Sequence, residues 1–168
     1  GRPKSKRALE EAQEGDNRVL LIVQKDSRND DPDSSDLFEV GTLCVIKQVI
    51  KLPDDTLQVL VEARERARVI EYLPGMVLRA RLNTIQEIPS DADEQTRDVL
   101  MDETKSAFSD YAQQNKNLRL DSFHLENLRN LKDPGALADV VSKYASWEVV
   151  EKQQILEEPR AFKRLELV

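Results

Sequence analysis

The chain has 168 residues, enough for one domain or two small subdomains, and its 39% hydrophobic and 34% charged content allows only lean cores. A net charge of −7 and a pI of about 4.9 work against binding a phosphate backbone by net electrostatics. The lone cysteine, Cys44, excludes an internal disulfide and fits a reducing, cytoplasmic setting; no apolar run approaches the ~18 residues of a membrane span.

Pro3 suits a first helical turn, Ala8, Leu9 and Ala12 share one face after it, and Gly15 is a helix stop. Arg18 to Val23 is a short apolar run, expected to be a buried strand. Ser27 to Asp36 is polar and acidic and reads as an exposed loop. Val40 to Ile50 is rich in β-branched residues. After the turn residues Pro53-Asp54-Asp55, Leu57, Val59 and Val61 alternate, so the two runs form a hairpin. Arg66 to Ile70 gives a further strand. Pro74-Gly75 marks a turn, and Met76 to Ile88 gives the last strand, with Leu78, Ala80 and Leu82 on one face and Arg79 and Arg81 on the other.

Beyond Pro89 the apolar period changes from two to about 3.6. Val99, Leu100, Ala107, Phe108, Tyr111 and Ala112 line one face of a long helix, with Ser90 or Asp91 as its N-cap and Asn115-Lys116-Asn117 as its break. Asp121 or Ser122 caps a short helix through Leu125 and Leu128. Asp133 and Pro134 open another, whose stripe is Leu137, Val140, Val141 and Tyr144. Trp147 follows, then a helix over Val149–Glu157 and a last segment from Pro159. Strands first and helices second define an α+β chain, with a β-subdomain over 1–90 and a helical bundle over 91–168. Basic residues number 14 against 16 acidic before residue 91 and 11 against 16 after it, so the helical part is the more acidic.

Catalytic and metal constellations are sparse. No Gly-x-x-x-x-Gly-Lys stretch or Gly-x-Gly-x-x-Gly appears, so no nucleotide site is expected. One histidine, His124, and one cysteine are too few soft or imidazole ligands for zinc. Cys44 lies in an apolar strand, where an inert buried thiol is the ordinary outcome. The acids Asp30, Asp31, Asp33 and Asp36 lack the EF-hand spacing and read as a solvated loop. Arg64, Arg66 and Arg68 alternate on one strand face, as on a solvated edge that discourages aggregation. The sharpest candidate is the apolar turn of Tyr72, Leu73, Pro74, Met76, Val77 and Leu78. Apolar groups at a tight turn are hard to bury, and exposed ones match apolar segments of unfolded chains without needing a sequence. The competing reading is that Leu73 and Val77 merely close the end of the barrel.

Several stretches resemble the N-terminal domain of Lon-type ATP-dependent proteases. Gly41-Thr42 to Lys51-Leu52-Pro53-Asp54-Asp55-Thr56 is similar to the family's hairpin, with Asp55 in place of its turn glycine. Leu57 to Glu62 with Arg66-Ala67-Arg68, Asp133-Pro134-Gly135-Ala136-Leu137-Ala138-Asp139, Glu151 to Glu157, and Gly1-Arg2 with Ser5 and Ala8 also resemble family stretches, in order. Ala63 replaces a family glycine. The resemblance implies a PUA-like β-subdomain, a family first strand preceding Gly1, and a fragment without catalytic residues. It further implies that ATP, Mg and a Ser–Lys dyad belong to AAA+ and protease domains beyond Val168, in a homohexamer. Expected partners are unfolded or damaged proteins, with no nucleic acid and no membrane. The alternatives are a stand-alone Lon-like adaptor and, by fold analogy alone, RNA binding through the sheet.

Overall fold

The computed structural model describes residues 2–115, 118, 120 and 122–168. The chain divides into two compact units, Gly1–Gln86 and Glu87–Val168. Both a four-stranded antiparallel sheet and a helical region are present, so the chain is α+β.

The first unit opens with α1, Pro3–Glu14, which has proline in its first turn and Gly15 as C-cap. Its apolar face is half-buried and it holds no fully buried residue. Four strands follow: β1, Arg18–Leu21; β2, Val40–Lys51; β3, Leu57–Leu73; and β4, Arg79–Ile85. Each pairs antiparallel with the next, in the order β1-β2-β3-β4. The buried hydrophobic residues are few among those described: Leu37, Val40, Cys44, Ile46 and Ala67. Gly41 is fixed by a backbone approach, because any Cβ there would run into the carbonyl oxygen of Leu21 on β1.

Three strand expectations change. The run beginning at Arg18 is not buried: β1 pairs only with β2, leaving Leu21 48% and Val23 42% exposed. The segments around Leu57 and Arg66 are a single 17-residue strand, which bends at register shifts facing Leu43/Cys44 and Ile46/Gln48. Consequently Arg66 and Arg68 lie between β2 and β4 rather than on an edge, whereas Arg64 precedes the first β3–β4 pair. Arg64 pairs with Glu62 at 3.1 Å and Arg68 with Glu39 at 3.0 Å.

In the second unit, α2 spans Glu94–Gln114, α3 Ser122–Asn130, α4 Pro134–Tyr144, α5 Val149–Glu157 and α6 Ala161–Glu166. The N-cap of α2 is Asp93, not Ser90 or Asp91: its carboxylate accepts from Thr96 N at 2.9 Å. Val99 is 51% exposed, whereas Met101 is buried, about 200° round the helix from it. Asp121, Lys116 and Asn117 lie outside the described residues. Asp133 caps α4 by accepting from Ala136 N at 2.6 Å, with Pro134 in the first turn. The core consists of Met101, Phe108, Leu128, Leu137, Ala138, Val141 and Leu165. Full burial of a leucine such as Leu137 is worth about 1.5–3 kcal/mol. The segment leaving the sheet is tied to this unit: Ile88 N donates to Pro159 O at 2.8 Å and Ala161 N to Ile88 O at 2.9 Å.

Candidate functional site

The β3–β4 connection carries the apolar turn. Leu73 pairs with Arg79 and Tyr72 with Ala80, so the strands close on Pro74 to Leu78. Met76, at the tip, is 82% exposed and Leu78 42%. Pro74 is exposed, while Tyr72, Leu73 and Val77 are half-buried. The turn is therefore mixed: Leu73 and Val77 pack partly beneath it, and Met76 with Leu78 stands in solvent.

Charges along its stem are neutralised. Arg79 forms an ion pair with Glu11 on α1, and Arg81 with Glu71 at 3.0 Å. The tip thus presents thioether and hydrocarbon above a paired, near-neutral base. The Tyr72 hydroxyl is buried without a hydrogen-bond partner among the described residues. Burial, and then the Glu39 carboxylate, push its pKa up, so it remains a neutral phenol.

The remaining candidates serve local structure. Cys44 is 1% exposed, its thiol facing Thr42 O at 3.5 Å, and desolvation raises its pKa, the opposite of an activated nucleophile. His124 is exposed on α3. In the acidic loop, Asp33 accepts from Ser35 N at 2.7 Å and Asp36 from Asp33 N at 2.9 Å. Lys4 pairs with Asp31 at 2.6 Å. These carboxylates cap their own turn, and among the described residues no group of three His, Cys, Asp or Glu is placed to hold a metal ion.

Periodicity alone did not reveal a second feature, a cleft of about 360 Å³ in the helical unit. Phe108, Val141 and Ala145 form its buried base, and Tyr111, Trp147 and Val168 also line it. The Tyr111 hydroxyl donates to Ser146 Oγ at 3.0 Å and accepts from Ser146 N at 3.2 Å, holding the segment that carries Trp147. The available signal was the isolated tryptophan just past the α4 stripe.

The antiparallel four-stranded sheet with its helix and the helical region that follows resemble solved Lon N-terminal domains. The N-terminal domain of Mycobacterium avium complex Lon protease superposes with a TM-score of 0.74 at 22% identity, over 98% of this chain and 82% of that one. The Lon N-terminal domain protein from Xanthomonas campestris gives 0.64 at 12% identity, over 99% and 82%. At these identities the likeness defines the fold. The sequence goes further: over residues 1–168 it matches the ATP-dependent protease La (LON) substrate-binding domain, and the chain belongs to that family. Lon protease 1 of Thermus thermophilus is 48% identical across the whole chain, which spans 21% of that protein. Lon protease of Escherichia coli K12 is 36% identical over 99% of this chain and 21% of its own length. The chain therefore spans about a fifth of the curated relatives it matches. Among the described residues no helix is long and apolar enough to cross a membrane.

Proposed function

We propose that this chain captures unfolded or damaged proteins for an ATP-dependent protease of Lon type, holding their apolar segments at the turn of Tyr72, Leu73, Pro74, Met76, Val77 and Leu78. The observation that carries the site is the 82% exposure of Met76 at the tip of a hairpin whose stem charges are paired. A flexible thioether in water costs free energy unless something apolar covers it, and it adapts to many shapes. In this reading the parent is a cytoplasmic homohexamer. Its ATP, Mg and Ser–Lys dyad reside in other domains, and neither nucleic acid nor membrane is a partner. The length of the relatives supports a motor-linked module over a stand-alone adaptor.

A small apolar patch offers few anchoring residues, so single-site affinity falls near micromolar or weaker, and several copies in a ring recover strength. The test is binding of a reduced, alkylated, permanently unfolded protein, followed by fluorescence anisotropy. Met76→Asp and Leu73→Asp weaken it several-fold while circular dichroism stays unchanged. Wild-type binding by both variants places the site elsewhere.

A further inference from the structure

We infer that the helical unit carries a second binding site, the cleft of α2 and α4 beside Trp147, which takes a bulky apolar side chain flanked by lysine or arginine in an unfolded chain segment. This rests on membership of the substrate-binding family and is independent of the Tyr72–Leu78 turn.

The volume, about 360 Å³, lies at the lower end of the range for ligand clefts and admits one or two large side chains. The base is carbon: Phe108, Val141 and Ala145 are 4%, 6% and 7% exposed. Tyr111 and Trp147 add aromatic surface, which packs on hydrocarbon and also attracts a cation over its face.

Among the described residues that line the cleft, the charge has one sign. Glu103 lines it, and Asp110 shares the α2 face of Glu103 and Ala107, at i, i+4 and i+7. Both carboxylates are on exposed residues, and neither has an ion-pair partner among the described residues. Among the described residues no lysine or arginine lines the cleft. The nearest candidate on α2, Lys105, is engaged by Arg129 O at 3.1 Å and Leu131 O at 2.7 Å. Lys143 lies over the Tyr144 ring at 4.9 Å.

That unneutralised acidic rim selects the occupant. Over residues 87–168 acids outnumber bases 17 to 11, so a second copy of this unit, or a nucleic acid, is repelled. An apolar side chain beside a lysine or arginine fits both halves of the site, carbon in the cleft and cation at the rim. An unfolded segment exposes such pairs without prior structure.

Trp147 is the sole tryptophan of the chain, so its emission reports occupancy of this cleft alone. The probe is an acetylated, amidated Arg-Leu-Phe-Lys peptide, with Glu-Leu-Phe-Glu as its charge-reversed control. The basic peptide shifts Trp147 emission saturably, and the acidic one binds about three- to tenfold more weakly, as two partly exposed charge contacts allow. The gap narrows at about 0.5 M salt. The double variant Glu103→Lys, Asp110→Lys, both on solvent-facing positions, inverts the preference with an unchanged circular dichroism spectrum. Met76→Asp leaves the titration untouched. The proposal is overturned if neither peptide gives a saturable shift, if both bind equally, or if Met76→Asp abolishes the response. If the cleft fails while Met76→Asp still weakens capture of unfolded protein, the turn site stands without it.

Discussion

The guanidinium of Arg164 occupies the space into which a side chain at Gly135 would project. Arg164 is fully buried, and its Nε faces Asp139 at 3.1 Å. Its Nη1 donates to Glu158 O at 3.0 Å, and its Nη2 to the Glu87 carboxylate. One side chain thus ties α6 to α4, to the end of α5 and to the segment entering the unit. A Cβ at Gly135 would also stand 2.8 Å from Glu87 Oε2. Gly135→Ala is expected to cost about 1–3 kcal/mol through overpacking. Arg164→Met is expected to cost about 1–3 kcal/mol, less than the loss at a fully buried pair, because Asp139 and Glu87 stay 43% and 41% exposed and rehydrate. The double variant should cost less than the two together, since methionine can yield the space alanine needs. Urea unfolding of the four proteins reads the coupling.

A second prediction concerns acid. The Arg160 guanidinium holds the Glu158 carboxyl down to about 2, with Nε at 2.8 Å and Nη2 at 2.7 Å and the Arg160 amide adding a further bond. A depressed carboxylate gives stability that is complete above its unfolded value and is lost as pH falls through the folded one. The window is therefore from about 4.3 down to about 2. Glu158 is 13% exposed but Arg160 is 58%, so solvent screens the pair and the loss is about 1 kcal/mol. Chemical denaturation at pH 7, 4 and 2 should show Glu158→Gln losing less stability across that window than wild type.

These side chains also mark how far the sequence could be read. The α4 stripe of Leu137, Val141 and Tyr144, the Asp133 cap and the bounds of Val149–Glu157 follow from helical spacing and local hydrogen bonding, which depend on near neighbours. The continuity of β3 through Ala63-Arg64-Glu65 does not. A charged, exposed stretch looks like a break until β2 is seen to pair with Ala63 and Glu65 on either side of a register shift. Leu21 and Val23 share that problem, because an apolar run does not say whether its strand has one neighbour or two. The Tyr72–Leu78 turn was legible as a turn, and its tip is exposed, but the half-burial of Leu73 and Val77 depends on packing. The Trp147 cleft was the least legible, since Glu103 and Val168 both line it from distant points in the chain.

The start of α2 gives a sharper local test. Ser90, Asp91 and Asp93 all have capping chemistry, yet only Asp93 accepts from both Thr96 N, at 2.9 Å, and Thr96 Oγ1, at 2.7 Å. Those bonds hold its carboxyl below the usual carboxylate range. Ser90 instead accepts from Ala92 N at 3.2 Å. Asp93→Ala should cost about 1 kcal/mol, the ordinary cost of a lost cap, and Asp91→Ala less than about 0.5 kcal/mol. Thermal unfolding followed at 222 nm separates the two variants; equal losses would mean that the cap is misassigned.

Asp55 stands in the β2–β3 turn where the resemblance to Lon-type N-terminal domains implies a glycine. Its φ is +60°, in the left-handed region, and the turn closes through Asp55 N to Leu52 O at 3.0 Å and Leu52 N to Thr56 O at 2.8 Å. Aspartate enters that region more readily than most residues. Here it is also held by Lys51 at 2.7 Å, and Lys6 Nζ donates to its carbonyl at 2.6 Å. The Lys51 ammonium holds the Asp55 carboxyl below its usual range, but the pair is fully exposed, so the charge adds little against salt. Glycine would remove the backbone cost while loosening the unfolded chain, two effects of similar size and opposite sign. Asp55→Gly is therefore expected to be near neutral, whereas Asp55→Val, β-branched at positive φ, should destabilise by about 1–2 kcal/mol. Urea midpoints at low and high salt check both: a large loss for Asp55→Gly that disappears in salt would assign the turn's stability to the Lys51 pair rather than to its backbone.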